Sequence, residues 1–271
     1  MKKYIFILIP TLFILYGCNS DDDINNVNNT EWDLDEASGI FLEYNNTFGY
    51  LSQGGADFKY TYENGKVIKK NGGVMFYNFD TNSSLIFSEQ LYDLVTYENN
   101  RIKVETKLVD VDESILSKIE YVLENNKIVQ QTYSSNTLDT VKYYYTRDLP
   151  KKLIYVNGRA GIRKQSDFYY NSNQNLDSIV SRTAYFNSST EKFEPININS
   201  RERVVEVFDQ YDSYTNPTRK LGIFPELYKR SLSKNNFGRY QEIVYTSTNK
   251  FVNQSVEFPM IYKEGKILLK F

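Results

Sequence analysis

The chain has 271 residues, with 32 Lys and Arg against 34 Asp and Glu, a formal net charge of −2 and no histidine. So even a balance argues against a nucleic-acid partner, which needs a basic surface, and against electrostatic docking on anionic lipid. Without histidine, the Ser-His-Asp, Cys-His and histidine–metal arrangements have no base or ligand within this chain.

Lys2 and Lys3 precede an apolar run from Tyr4 to Tyr16, broken only by Pro10 and Thr11. That run falls short of the roughly 20 apolar residues of a membrane-spanning helix. A basic start, a short apolar middle and a small residue at the end mark a secretory signal peptide. The single cysteine, Cys18, follows and has no disulfide partner within the chain. Leu15-Tyr16-Gly17-Cys18 resembles the lipobox of bacterial lipoproteins, although Tyr16 departs from the usual small or branched residue there. The resemblance implies cleavage between Gly17 and Cys18, with acylation of the Cys18 sulfur and of the new amino terminus. Two or more acyl chains anchor a protein stably where one does not.

Asn19-Ser20-Asp21-Asp22-Asp23 resembles the acidic export signal of Bacteroidota lipoproteins. It implies display on the outer face of the outer membrane, with Asp21, Asp22 and Asp23 as the signal. The acidic, Asn-rich composition of 18–31 suits a hydrated tether. The expected organisation is therefore a leader over 1–17, a lipidated tether over 18–31 and a single domain over 32–271. Lys2 and Lys3 leave with the leader, which takes 32 basic residues to 30 against 34 acidic ones, a net of −4.

From Phe58 onward one unit recurs. In Phe58–Lys70, Phe58, Tyr60 and Tyr62 alternate with Lys59, Thr61 and Glu63, a strand pattern. Asn64-Gly65 then supplies a two-residue turn whose positive φ angles both residues tolerate. The unit returns in Val95–Thr106 around Asn99-Asn100 and in Ile119–Gln131 around Asn125-Asn126, with looser copies later. Glu63/Lys66, Glu98/Arg101 and Glu124/Lys127 are expected to face each other across their turns. The 24 tyrosines suit half-buried strands, ring packed and hydroxyl wet.

These hairpins resemble the tyrosine-rich repeats of the YD/Rhs type. With Phe208–Asn236, where Tyr211-Asp212 leads to Tyr214 and Asn216-Pro217 and a Leu-Ser phrase ends in Asn235-Asn236, the chain resembles Bacteroidota lipoproteins built from such hairpins. That resemblance implies an antiparallel β-meander, with a porin-like sheet or barrel as one form of it, and no activity. The fold expected is all-β, a meander of repeated hairpins forming a curled or barrel-like sheet with one or two short helices. Phe224–Ser233 is predicted to hold one helix, with Pro225 at its first position, and Asp112–Ile119 another turn. Both faces of the strands often carry charged or amide side chains, which favours a tethered soluble sheet over a lipid-facing barrel.

Chemistry is sparse. No phosphate loop or dinucleotide loop is present. Asp209, Asp212, Glu226, Glu242 and Glu257 are the acidic residues from which a glycosidase pair would come. Asp80–Ser84 and Asp110–Ser114 have oxygen ligands at alternate positions but lack the glycine and closing glutamate of an EF-hand loop. Tyr143-Tyr144-Tyr145 and Tyr169-Tyr170 are the aromatic clusters available to a sugar platform, but neighbours in a strand point to opposite faces. The sequence thus points to a non-catalytic binding or structural lipoprotein of the outer membrane, with no cofactor, no metal and no assignable binding residue. The alternatives are a glycan- or nutrient-binding accessory of an outer-membrane transporter, and a carboxylate glycosidase.

Overall fold

The computed structural model describes residues 33–38, 57–79, 82–109, 111, 115–134, 139–187, 189–190, 192–195, 201–258, 260–263 and 266–269. Gly17, Cys18, the three aspartates and Trp32 lie outside them, as do Asp80 and Asp110.

Strands make almost all of the described chain. They are β1 (Glu36–Ser38), β2 (Asp57–Glu63), β3 (Lys66–Phe79), β4 (Asn82–Glu98), β5 (Arg101–Leu108), β6 (Ile115–Glu124), β7 (Lys127–Tyr133), β8 (Asp139–Thr146) and β9 (Leu149–Asn157). The rest are β10 (Ile162–Tyr170), β11 (Leu176–Asn187), β12 (Lys192–Pro195), β13 (Arg201–Tyr211), β14 (Phe237–Thr246), β15 (Lys250–Glu257), β16 (Met260–Lys263) and β17 (Lys266–Leu269). The expected all-β meander is what forms. The three Asn turns are two-residue loops with Glu63 opposite Lys66, Glu98 opposite Arg101 and Glu124 opposite Lys127. Asn64 and Gly65 sit at φ 50° and 71°, and Asn125 and Asn126 at 51° and 61°. The charges at these turns pair elsewhere: Glu98 with Lys103, Arg101 with Glu120 and Lys127 with Asp148. Register comes from the turn backbone, not from charge.

Each antiparallel ladder joins the next, from β2 through to β11, then β13, β14 and β15. β12 continues the β13 side of β11. At the other edge, β1 joins β2 to β17, and β17 pairs with β16. β15 and β16 are successive pieces of one chain path, so the sheet curls until its two edges meet. Among the described residues no ladder joins β15 to β16, and the barrel is not closed by hydrogen bonds. The sequence at that seam is Phe258-Pro259, and proline has no N–H to give a ladder. Phe258 is buried there, its N–H bonded to the Gly238 carbonyl at 2.7 Å.

The excursion between β13 and β14, residues 212–236, fills the curl as a plug. Phe224 packs against Tyr60, and Tyr228 against Tyr143 and Phe168. The Tyr121 hydroxyl donates to the Ile223 carbonyl. Buried Lys70 on β3 lies between Asp93, at 2.7 Å, and Glu226 of the plug. Lys229 pairs with buried Glu206. The core forms two clusters. One joins β1 to β6 and Ile267 to Leu221, Ile223, Phe224 and Leu227. The other gathers Phe168, Leu176, Ile179, Phe208, Phe237, Tyr240 and Phe258.

The plug's helical content differs from expectation. A 3-10 turn runs over Pro217–Leu221 with Pro217 at its start, and a single α-turn, α1, over Tyr228–Ser231. Pro225 is therefore outside the helix, because Phe224 and Leu227 are drawn into the core first. Ile115–Ile119, read as part of a second helical turn, belongs to β6, where pairing with β5 overrides the local spacing. No described helix is long and apolar enough to cross a membrane.

Asn216 holds the neck of the plug. Its Nδ2 donates to the carbonyls of Arg230 (2.6 Å) and Ser233 (3.0 Å), and its Oδ1 accepts from the Thr218 N–H and hydroxyl. That uses every bond an amide side chain can make, and the residue is fully buried. Asn216→Leu strands two carbonyls and two donors, each costing about 1–3 kcal/mol when unsatisfied. The expected result is a urea midpoint corresponding to a loss of at least about 3 kcal/mol; a change below about 1 kcal/mol would show the plug is not held there.

Candidate functional site

Between the two core clusters the inner wall turns polar. Cross-strand register lines up Tyr121, Gln131, Val141, Tyr155 and Lys164 in one row over β6 to β10. Tyr143, Leu153 and Ser166 form the next row. Because side chains alternate, all of these and Tyr133 point to one face. Opposite them lie Gly222, Pro225 and Tyr228 of the plug, and the space between is a cleft of about 260 Å³. That lies near the lower edge of small-molecule pockets, roughly 300–1,000 Å³. It suits one ring rather than a chain of them.

The cleft's polar atoms are mostly oriented by neighbours. Tyr143 donates its hydroxyl to Gln131 Oε1, the Ser166 and Ser181 hydroxyls share a bond of 2.8 Å, and Tyr155 donates to Asp139 Oδ2 at 2.8 Å. The Tyr228 hydroxyl is buried and has no partner among the described residues. Burial raises the pKa values of Tyr121, Tyr133, Tyr143, Tyr155 and Tyr228. These phenols stay neutral donors and acceptors at physiological pH. Lys164, exposed on β10, brings the only charge among the lining residues. A larger depression of about 450 Å³ lies beside Asp148, Arg219, Ser233 and Lys234. It lacks aromatic walls, and Ser233 Oγ already accepts the Leu176 N–H at 3.0 Å.

The five carboxylates singled out in the sequence are each engaged locally, and two of them, Asp209 and Glu257, flank the same Arg239. Asp209 takes a two-pronged bond from Arg239, and Asp212 accepts the Tyr262 hydroxyl and the N–H groups of Tyr214 and Asn236. Glu226 pairs with Lys70, Glu242 accepts from Asn253 at 2.6 Å, and Glu257 stands opposite Arg239. None lines the cleft. Among the described residues no three acidic or cysteine side chains gather as a metal site. The tyrosine runs divide as strand geometry requires: Tyr143 is buried in the cleft wall, while Tyr144 and Tyr169 face outward. The wall was missed because its tyrosines come singly from successive strands. Aligning the hairpin copies by their turns would have found the row.

The comparisons with known proteins add little on chemistry. No protein-family model matches this chain, and no curated protein does. Among solved structures, the chain is similar to a porin-like protein from Bacteroides uniformis ATCC 8492, with a TM-score of 0.46 and 10% identity over 78% of this chain and 80% of that one. A porin-like protein from Bacteroides vulgatus ATCC 8482 matches with a TM-score of 0.45 and 8% identity, over 78% and 85% of the two chains. At these scores nothing of what those proteins do carries over to this one.

Stability should fall at both ends of the pH scale. Burial pushes the Glu206 carboxyl up, but the Lys229 ammonium and the Tyr240 hydroxyl outweigh it and hold its pKa below the usual value. Its contribution is present above the unfolded glutamate pKa of about 4.3 and is lost as pH falls through the lower folded value. The raised cleft tyrosines contribute fully below the unfolded value of about 10, and that contribution is lost as pH rises from there. Thermal midpoints should therefore drop on both sides, with phenolate absorbance lagging until the protein unfolds. A phenolate signal complete while the fold is intact would contradict the buried wall.

Proposed function

We propose that this chain is a lipid-anchored, non-catalytic binding protein displayed on the outer face of a bacterial outer membrane, and that its ligand enters the tyrosine cleft. The observation that carries the binding half is the cleft itself. Tyrosine rings, an amide, a serine hydroxyl and one ammonium converge on a space of about 260 Å³, and the buried Tyr228 hydroxyl there has no partner among the described residues. Rings offer flat apolar faces and fixed polar tips, which match a polyhydroxylated ring such as a sugar. Lys164 extends the fit to a ring bearing a carboxylate. A glycosidase would need two carboxylates across the bond it cuts, and the lining holds none. A glycan-binding accessory beside an outer-membrane transporter is the setting that fits both halves of the reading. The anchor half rests on Gly17-Cys18 and the aspartates that follow.

Two experiments test it. Calorimetric titration of the protein with neutral hexoses and hexuronic acids should show binding to at least one of them. Tyr133→Ala should weaken that binding at least tenfold, about 1.4 kcal/mol, with the thermal midpoint kept within a few degrees. Silence across the panel, or binding unaffected by the substitution, would remove the cleft as the site. Protease shaving of intact cells should cut the natural protein and spare a variant with Asp21, Asp22 and Asp23 changed to alanine. Equal protection of both would place the protein in the periplasm.

A further inference from the structure

The larger depression, about 450 Å³, shares no lining residue with the tyrosine cleft. One wall is the plug, with Arg219 from the 3-10 turn and the stretch 231–234. The other is the sheet, with residues 148–150 where β8 turns into β9 and 172–174 where β10 turns into β11. The segments that join the strands here, 147–148, 171–175 and 212–236, all lie within the described residues.

Charge singles this depression out. The plug carries seven charged side chains: Asp212, Arg219, Lys220, Glu226, Lys229, Arg230 and Lys234. Five are engaged. Asp212 accepts the Tyr262 hydroxyl, Lys220 pairs with Asp33 at 2.8 Å, Glu226 with Lys70 and Lys229 with Glu206, and Arg230 donates to the Phe237 carbonyl. The side chains of Arg219 and Lys234 make no hydrogen bond or ion pair among the described residues, and both line the depression. The one carboxylate of the lining, Asp148, is offset by Lys127 at 3.0 Å. The depression therefore keeps a positive excess.

Its walls are also fixed. The Asn216 carbonyl accepts the Arg219 N–H at 3.5 Å, and the Asn216 N–H donates to the Lys234 carbonyl at 2.9 Å, so one buried residue holds the backbone under both cations. Two amides clasp the facing turn to the plug. Asn175 Oδ1 accepts the Asn235 N–H at 2.8 Å, and Asn175 Nδ2 donates to Asn235 Oδ1 at 3.2 Å. Asn171 Oδ1 shapes the turn itself by accepting the N–H groups of Asn173 and Asn175. Walls set in advance spare a ligand the cost of ordering them.

We infer that this depression binds a sugar that bears an oxyanion, a sulfate, phosphate or carboxylate group. The Arg219 guanidinium offers a planar fork that matches an oxyanion with two bonds, and Lys234 adds a point charge. The side chains of Ser172, Asn173 and Gln174 make no hydrogen bond among the described residues, which leaves their donors and acceptors for ring hydroxyls. A bare anion would fill only a small part of about 450 Å³, a volume within the range of roughly 300–1,000 Å³ for small-molecule sites. The inference is independent of the tyrosine cleft and of the anchor.

The test titrates the full chain calorimetrically with glucose 6-sulfate, glucose 6-phosphate and glucuronate, and with glucose and sodium sulfate as controls. At least one charged sugar should bind at least about tenfold tighter than either control. Raising the ionic strength from about 0.01 to 0.15 M, which shortens the screening length from about 30 to 8 Å, should weaken it. Arg219→Gln and Lys234→Gln should each weaken it severalfold and together remove it. Both side chains are exposed, so thermal midpoints should stay within a few degrees. Tyr133→Ala should leave this binding unchanged. Silence from all three charged sugars overturns the inference, as does binding that survives the double substitution. Sulfate as tight as the charged sugars would assign the depression to a free anion and overturn it. Binding lost with Tyr133→Ala would move the ligand to the cleft, overturning this inference while supporting that reading. Binding that appears only after Asp21, Asp22 and Asp23 are changed to alanine would give the depression to the chain's own tether and overturn it too.

Discussion

A sheet curled until its edges meet turns its apolar side chains inward over a hollow that they do not fill by themselves, and here the filling is a 25-residue excursion of the same chain, 212–236. Everything else depends on that segment staying in place. Its neck is a polar clasp. Asn216 is fully bonded, the Asn216 N–H reaches the Lys234 carbonyl at 2.9 Å, Asn235 Nδ2 reaches the Tyr214 carbonyl at 2.9 Å, and the Asp212 N–H donates to the Asn236 carbonyl while the Asn236 N–H donates to Asp212 Oδ1. Its body carries charge into the core, where Arg230, fully buried, donates to the Phe237 carbonyl at 3.0 Å and lies over the rings of Phe237 and Phe258. Buried ion pairs add little net stability because desolvation offsets attraction. Lys70 with Glu226 and Glu206 with Lys229 tie the plug to the inner wall at two points.

The same clasp explains what the sequence could reveal. The hairpins were legible because Asn-Gly and Asn-Asn turns are local: positive φ at two residues decides the register of both strands. The phrases around Asp212 and Asn236 stood out as unusual, but their role did not. They are some twenty residues apart in sequence and meet only because the plug doubles back, a non-local pairing that no periodicity records. The helix expected at Pro225 formed as one turn further on, since burial of Phe224 and Leu227 decided the backbone there before local propensity did. At Ile115–Ile119 a pattern compatible with both helix and strand was resolved by pairing with β5. The tyrosine wall escaped notice for a related reason. A run such as Tyr143-Tyr144-Tyr145 draws the eye, but strand alternation scatters it. The grouping that lines the cleft is a row across strands, one residue from each.

A polar gap in the interior is costly to keep. Ser166 with Ser181 and Gln131 with Tyr143 occupy inner positions where valine or leucine would fill space and bring about 25 cal/mol for each Å² of apolar area buried. Those pairs satisfy one another, so the fold tolerates them, but mutual satisfaction does not account for the open volume beside them or for the Tyr228 hydroxyl, which has no partner among the described residues. A core optimised only for stability would close the space. On the binding reading proposed above, the hydroxylated hollow between the two clusters is a preformed cleft, which spares a ligand the ordering cost of making one. The plug then has two jobs that cannot be separated. It completes the core, and its Pro225–Tyr228 edge is the far wall of the cleft, so whatever seats the plug also sets the shape of the cleft.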